Sequence, residues 1–339
     1  MSADCPILVT GGAGYIGSHA VLALLDGGWQ VAVVDDLSTG FRFAVPDGEP
    51  FYQGDVADAA LLARIFAEQR MGGGTGAIMH FAGSIVVPDS IADPLSYYEN
   101  NTAKSRALIA AAVTAGVPHF LFSSTAATYG MTSDAPVSEE TPQAPINPYG
   151  WSKLMTERML ADTGAVADLN YGVLRYFNVS GADPQGRSGQ SMPGATHLLK
   201  VALETALGRR KGVQVFGSDY DTADGTGVRD YIHVSDLVDA HVLALEALIA
   251  QPDRSLTLNC GYGRGFSVLE VLDAVQRAAG LPIAREVVSR REGDPASVVA
   301  DPSRLKRDLG WRPLHDDLDT IVRHALAWER KLAEMRAAA

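Results

Sequence analysis

The chain runs to 339 residues, 47% of them hydrophobic and 20% charged, the make-up of a folded globular protein rather than a disordered one. Its formal net charge is −12, and a surface of that sign repels nucleic acid and anionic membranes, so neither is an expected partner. Cys5 and Cys260 stand alone, without a CxxC or a histidine at ligand spacing, so no disulfide framework and no metal site are expected.

The first residues pass straight into an apolar run at Ile7, without the basic and long apolar regions of a secretory signal, and a reducing cytoplasm is the expected setting. No stretch reaches the roughly 18 apolar residues of a membrane helix. Ile7–Thr10 reads as a strand, followed by glycines and an apolar helix Ile16–Leu25. Next come strand Gln30–Val34, helix Ala59–Gln69, a Gly-rich turn at 72–76 and strand Ala77–Phe81. A long helix at about 96–115, strand His119–Ser123, a helix at about 149–161 and strand Gly172–Phe177 complete the first half. Strand–helix alternation at this spacing predicts an α/β fold, a doubly wound parallel sheet of Rossmann type.

After residue 178 the pattern changes. Residues 179–196 and 217–228 are polar, Gly-containing loops, and helices are predicted at about 194–208, 235–250, 267–279 and 317–336, with Ser235 and Ser267 as N-caps. Residues 1–178 form the expected dinucleotide-binding domain, completed by about 230–260. Residues 179–229 and 261–339 form a smaller C-terminal α/β domain whose long loops close over a ligand.

Thr10-Gly11-Gly12-Ala13-Gly14-Tyr15-Ile16-Gly17 joins the first strand to the first helix. Glycine there permits a tight turn, close approach of backbone N–H groups to a pyrophosphate, and close helix–strand packing. The free N–H groups and dipole of the helix then hold the anion. Asp35, 18 residues after Gly17 at the end of the second strand, can accept hydrogen bonds from a ribose diol and repels a 2′-phosphate, which favours NAD over NADP. Asp55, after Gln53-Gly54, is either an adenine contact or a plain loop aspartate.

Tyr149 and Lys153 are four apart at the start of a predicted helix and share a face. An ammonium beside a phenol is expected to lower its pKa from about 10 toward neutrality and make it a general base for an alcohol proton. Thr125, at the end of the strand running into Ser123-Ser124-Thr125, can share that proton at the edge where such sheets bind ligands. His80 and His233 sit in apolar, strand-like surroundings and read as packed structural histidines.

Together these motifs resemble the extended short-chain dehydrogenase/reductase superfamily, and within it the UDP-glucose 4-epimerase family, over nearly the whole chain. Further segments carrying the likeness are His80-Phe81-Ala82-Gly83, Tyr97-Tyr98-Glu99-Asn100-Asn101, Leu174-Arg175-Tyr176-Phe177-Asn178, residues 225–234 and Arg290-Arg291-Glu292-Gly293-Asp294. The resemblance implies that Tyr149 is the base, Lys153 its tuner and Thr125 the hydroxyl partner. It implies that Gly11, Gly14, Tyr15, Ile16, Gly17, Asp35, Asp55, Val56, Phe81, Ala82, Gly83, Asn100, Tyr149, Lys153 and Phe177 hold NAD. Thr125, Asn178, Phe216, Arg229, Arg291, Asp294 and Val298 would then hold the UDP-sugar, with the two arginines meeting the diphosphate. The implied activity is reversible 4-epimerisation of UDP-glucose and UDP-galactose through a 4-keto intermediate, with NAD retained. A homodimer is likewise implied.

Three positions depart from the family pattern. Thr125 replaces a Ser, and Ile85 replaces a Lys near the phosphates. Val298 stands where some members carry a Tyr walling off the sugar pocket, which leaves room for the acetamido group of UDP-GlcNAc or UDP-GalNAc. Ala126 and Ala127 occupy the places of the Asp-Glu pair a 4,6-dehydratase needs, and neither can ionise. A UDP-pentose 4-epimerase and a non-catalytic NAD-binding regulator are the alternatives.

Overall fold

Ile7–Thr10 is buried at every position, so the strand these residues form needs cover on both faces. A computed structural model, which describes residues 5–132, 136–291 and 293–338, supplies that cover. Strands β1 (Ile7–Thr10), β2 (Val31–Asp35), β3 (Phe51–Gln53), β4 (Ala77–His80), β5 (His119–Thr125) and β6 (Asn170–Tyr176) alternate with helices. These are α1 (Tyr15–Asp26), α2 (Ala59–Glu68), α3 (Val87–Ala92), α4 (Pro94–Tyr97), α5 (Lys104–Ala115) and α6 (Pro148–Gly164). Then follow β7 (Asn178–Ser180), α7 (Leu198–Ala206), β8 (Val213–Phe216), β9 (Val228–Arg229), β10 (Tyr231–His233), α8 (Val234–Ala250) and β11 (Leu256–Cys260). The chain ends with β12 (Phe266–Ser267), α9 (Val268–Ala279), β13 (Arg285–Val288), β14 (Ser297–Val298), α10 (Ser303–Leu309) and α11 (Leu318–Ala338).

Seven strands form one parallel sheet in the order β11-β6-β5-β4-β1-β2-β3. Alternate residues serve opposite cores. Ile7, Val9, Val31 and Val33 pack with α1, α8 and the C-terminal helices, whereas Leu8, Ala32 and Val34 pack with α2 and α5. Strand order reverses between β1 and β4, and a crevice opens above their C-terminal ends, where such sheets place ligands. Beyond the sheet, β8 pairs with β13, and β9 lies between β12 and β14.

Several boundaries differ from expectation. β2 begins and ends one residue later, so Asp35 is its last residue and is buried. β3 and β11 went unread, the first because three residues give too short a pattern and the second because Thr257 and Asn259 interrupt its apolar residues. The single helix expected at 96–115 is divided: α4 ends at Tyr97, Tyr98–Ala103 forms a π-helical turn, and α5 resumes at Lys104. A π turn is rare and recurs at functional sites; here it carries Asn100 and Asn101. The helix expected from 194 begins at Leu198, because Gly194 takes φ +72 and His197 is extended.

Ser267 caps α9 as expected, reinforced by the reciprocal bond from Glu270. Ser235 does not cap α8. The helix starts earlier, at Val234, and the His233 ring takes that role, with its Nδ1 accepting the Ser235 N–H at 3.0 Å. His80 is equally committed to structure, its two ring nitrogens lying 2.6 Å from Thr10 Oγ1 and 2.8 Å from Ser105 Oγ. Among the described residues no helix is long and apolar enough to cross a membrane, and no group of His, Cys, Asp or Glu is placed to hold a metal.

Candidate active site

The glycine turn after β1 is shaped by contact as well as by flexibility. A Cβ on Gly11, which adopts φ +69, would lie 2.6 Å from the Ala82 backbone nitrogen. One on Gly17 would lie 2.1 Å from the Gly11 carbonyl oxygen. Gly14 is the N-cap of α1 and has no side chain to cap it, so the N–H groups of the first turn stay free for an anion. Ile16 and Val56 line the crevice, and the Tyr15 hydroxyl donates to the Gly181 carbonyl at 2.8 Å. This cradle, which any side chain would fill, fits a dinucleotide pyrophosphate.

Asp35 Oδ2 accepts the Ala13 N–H at 2.9 Å and Oδ1 the Leu37 N–H at 2.8 Å. Burial raises its pKa, and those two N–H groups pull it back. Asp55 is pushed up by partial burial but held below its ordinary value overall, because Lys104 Nζ lies 2.6 Å from Oδ2 and the Ala57 N–H bonds Oδ1. Lys104 was missed in the sequence, although it stands four residues after Asn100 and the helical spacing was visible. Asn100 Nδ2 donates to Ser84 Oγ at 2.8 Å, while Asn101 grips the Ser84 backbone and Ser152. Phe81, Ala82 and Gly83 continue this wall.

Asn147 caps α6 by accepting the Gly150 N–H at 2.8 Å, with Pro148 at the first helical position. That places Tyr149 in the first turn and Lys153 one turn on, both buried. Lys153 Nζ donates to the Ser123 carbonyl at 3.0 Å and sits 4.8 Å from the Phe122 ring centre. Burial lowers its pKa to about 8, with Glu157 pulling it back up. The expected lowering of the Tyr149 pKa is not found. Burial pushes the phenol well above its ordinary value, opposed by the Thr125 hydroxyl that faces it. The reason is geometric: the lysine's charge is directed to the Ser123 carbonyl and the Phe122 ring, and dehydration of the phenol outweighs it.

At the other end, β9 and β14 set Arg229 and Val298 side by side. Arg229 Nη2 lies 2.5 Å from Asp294 Oδ1, and Nη1 donates to its neighbour's carbonyl, so the two predicted residues are partnered to each other. Arg291 stacks over Phe216, 3.7 Å from the ring centre. Glu292, in the same motif, lies outside the described residues. Asn178 is exposed to the crevice, Phe177 is buried beside Val298, and Ile85 adds an apolar wall where the family pattern has a lysine. His197, also missed, faces the crevice just before α7; a lone histidine at a helix start gives no signal of its own.

Apart from Lys153, which sits beneath its floor, all of these predicted residues line one cleft of about 1820 Å³. A drug-sized pocket spans roughly 300–1,000 Å³, so the cleft has room for two nucleotides with Tyr149 and Thr125 between them.

The chain matches the NAD dependent epimerase/dehydratase family over residues 7–261. It is 54% identical to a UDP-glucose 4-epimerase of Azospirillum brasilense over 328 residues, covering 97% of this chain and 93% of that protein. A structure of UDP-glucose 4-epimerase from Brucella ovis in complex with NAD superimposes with a TM-score of 0.91 at 41% identity, covering 95% of this chain and 98% of that one. The UDP-Glc/GlcNAc 4-epimerase of Campylobacter jejuni does so at 0.83 and 43% identity, covering 96% and 99%.

Proposed function

The chain belongs to the NAD dependent epimerase/dehydratase family, and from that premise we propose that it interconverts UDP-glucose and UDP-galactose by inverting carbon 4. The observation that carries this reading is one cleft holding a glycine cradle at one end, arginines at the other, and Tyr149 with Thr125 between. NAD would be held by the glycine turn at Gly11, Gly14 and Gly17 with Asp35, and there would supply reversible hydride transfer at carbon 4.

Tyr149 takes the 4-hydroxyl proton and later returns it, and Thr125 hydrogen-bonds the reacting oxygen. Lys153 supplies buried positive charge. Since burial, with Tyr176 and Tyr97 nearby, holds the Tyr149 phenol high, ionisation requires the further positive charge that a filled site provides. Asp35 and Asp55 bond the adenosine end, and a 2′-phosphate would meet Asp35 and Asp36 together. Arg229, Arg291, Asn178 and Phe216 grip the UDP, which leaves the hexose free to turn about its diphosphate linkage.

Val298 gives this site its breadth. A half-buried Val packed beside Phe177 leaves space that a Tyr would fill, so the acetamido sugars UDP-GlcNAc and UDP-GalNAc are further substrates. A coupled assay on purified protein without added NAD tests both points: turnover of UDP-galactose is expected, and turnover of UDP-GalNAc with it. Val298→Tyr is expected to abolish the second while changing the first less than about threefold. Loss of both, or of neither, defeats the pocket argument; no turnover by the unaltered chain, even with NAD supplied, defeats the epimerase reading.

The same reading assigns NAD to residues 1–178, completed by about 230–260, and the UDP-sugar to 179–229 with 261–339. It places the enzyme in the cytoplasm, in keeping with two free thiols. It also makes the enzyme a homodimer through the α5–α6 face, where Val113, Trp151 and Met155 are exposed.

A further inference from the structure

Glu157 lies one helical turn beyond Lys153 on α6 and is buried. Its carboxylate is saturated with donors. Ser124 Oγ reaches Oε1 at 2.5 Å, Arg175 Nε reaches both oxygens at 3.1 Å, and Arg175 Nη2 and Gln143 Nε2 reach Oε2 at 2.7 and 3.1 Å. Arg175 Nη1 donates to the Tyr129 hydroxyl at 3.0 Å, which donates to Asn259 Oδ1 at 2.7 Å. One carboxylate thus ties α6 to β5 and β6 and, through Tyr129, to β11. Buried ion pairs are costly even when fully bonded and are a poor way to gain stability alone. This one stands against two parts of the chemistry: Ser124 directly precedes Thr125, and Lys153 is four residues back on the same helix.

We infer that Glu157 is a positioning residue for the catalytic pair: its carboxylate keeps Lys153 charged and, through Ser124, fixes the strand end that carries Thr125. The inference rests on the reading of Tyr149 as the base.

The surroundings of Lys153 leave Glu157 that task. From β5 it meets the Ser123 carbonyl and the Phe122 ring. Beyond Gly83 stands the neutral Asn101 amide. From β4 it faces His80, whose pKa burial drives down to about 3, so that ring is uncharged at working pH. From its own helix come Tyr149, a neutral phenol while burial holds it high, and Glu157. Arg175, held strongly protonated, sits behind the carboxylate. Among the described residues, Glu157 is the carboxylate that acts on the lysine.

The sign follows. A reaction needing the ammonium proceeds below the lysine's pKa and is lost as pH rises through it. Removing the carboxylate while Arg175 remains lowers that pKa, so the loss begins at lower pH.

The test is kcat against pH for UDP-galactose turnover, with melting curves to confirm folding. Glu157→Gln is expected to move the alkaline limb down by about one pH unit, leaving roughly a fifth of the unaltered activity midway along the limb. Glu157→Asp keeps the charge but draws it away from Ser124; its limb stays within about 0.3 units while kcat falls several-fold. A uniform drop with an unmoved limb in the Gln variant overturns the inference and leaves only a structural brace. Should that variant fail to fold, a downward shift in the Asp variant overturns it equally. If the unaltered enzyme does not turn over UDP-galactose, the epimerase reading itself fails and the inference falls with it.

Discussion

Tyr149→Phe is expected to lower kcat for UDP-galactose by about 1000-fold while leaving the protein folded and its NAD in place. Phe occupies the same buried volume, so no cavity opens in the first turn of α6. The Thr125 hydroxyl keeps its bond from the Ala127 N–H at 3.2 Å and is not stranded by loss of the phenol. Binding of the substrate should survive, because the grip proposed for it lies at the Arg229 and Arg291 end of the cleft; KM is expected to change less than about threefold. A loss confined to kcat marks a group that acts only as the bond to hydrogen breaks. The decisive measurements are steady-state kinetics and the NAD content of the gel-filtered variant. Less than about tenfold loss would show that some other group removes the proton, and loss of NAD would show that the remaining cofactor residues do not hold it without the Tyr149 hydroxyl.

Five of the sheet's strands were legible because each is an apolar run bounded by turn residues, and burial on both faces makes such runs continuous; β3 was too short to read, and in β11 Thr257 and Asn259 interrupt the apolar residues. The cofactor end was legible for a similar reason: three glycines and an aspartate are required by local backbone geometry, which sequence spacing records. What escaped was set by distant parts of the chain. The π turn at Tyr98–Ala103 leaves no periodic mark, yet it decides where Asn100 and Asn101 point. His233 displaces Ser235 as a cap because its ring is fixed by tertiary packing, 3.1 Å from His324 Nδ1 across 91 residues. The direction of the Tyr149 pKa shift was misjudged since spacing reveals that a lysine is near but not that it is directed to a carbonyl and a ring. The pairing of Arg229 with Asp294 spans 65 residues and could not be read from either.

Gly17→Ala is expected to be the most damaging single-methyl change in the chain's cofactor end, and it separates two roles that glycine plays there. An added Cβ would stand 2.1 Å from the Gly11 carbonyl oxygen, 2.8 Å from its carbon and 2.9 Å from Gly12 Cα. All three are backbone atoms, so no side chain can rotate away, and α1 must lift off the turn. Overpacking of this kind costs about 3 kcal/mol, which in a chain of this size lowers the melting temperature by roughly 4 °C. The same shift carries the free N–H groups of the first turn out of reach of a pyrophosphate, and NAD should be lost on gel filtration. At Gly14 the added methyl meets only the Gly11 oxygen, at 3.2 Å. Gly14→Ala should therefore melt within about 1 °C of the unaltered chain and still lose NAD, because there the methyl obstructs the ligand rather than the fold. If Gly17→Ala melts normally, the close packing of helix on turn is not what the third glycine is for. If Gly14→Ala keeps its cofactor, the pyrophosphate does not approach the chain at that residue.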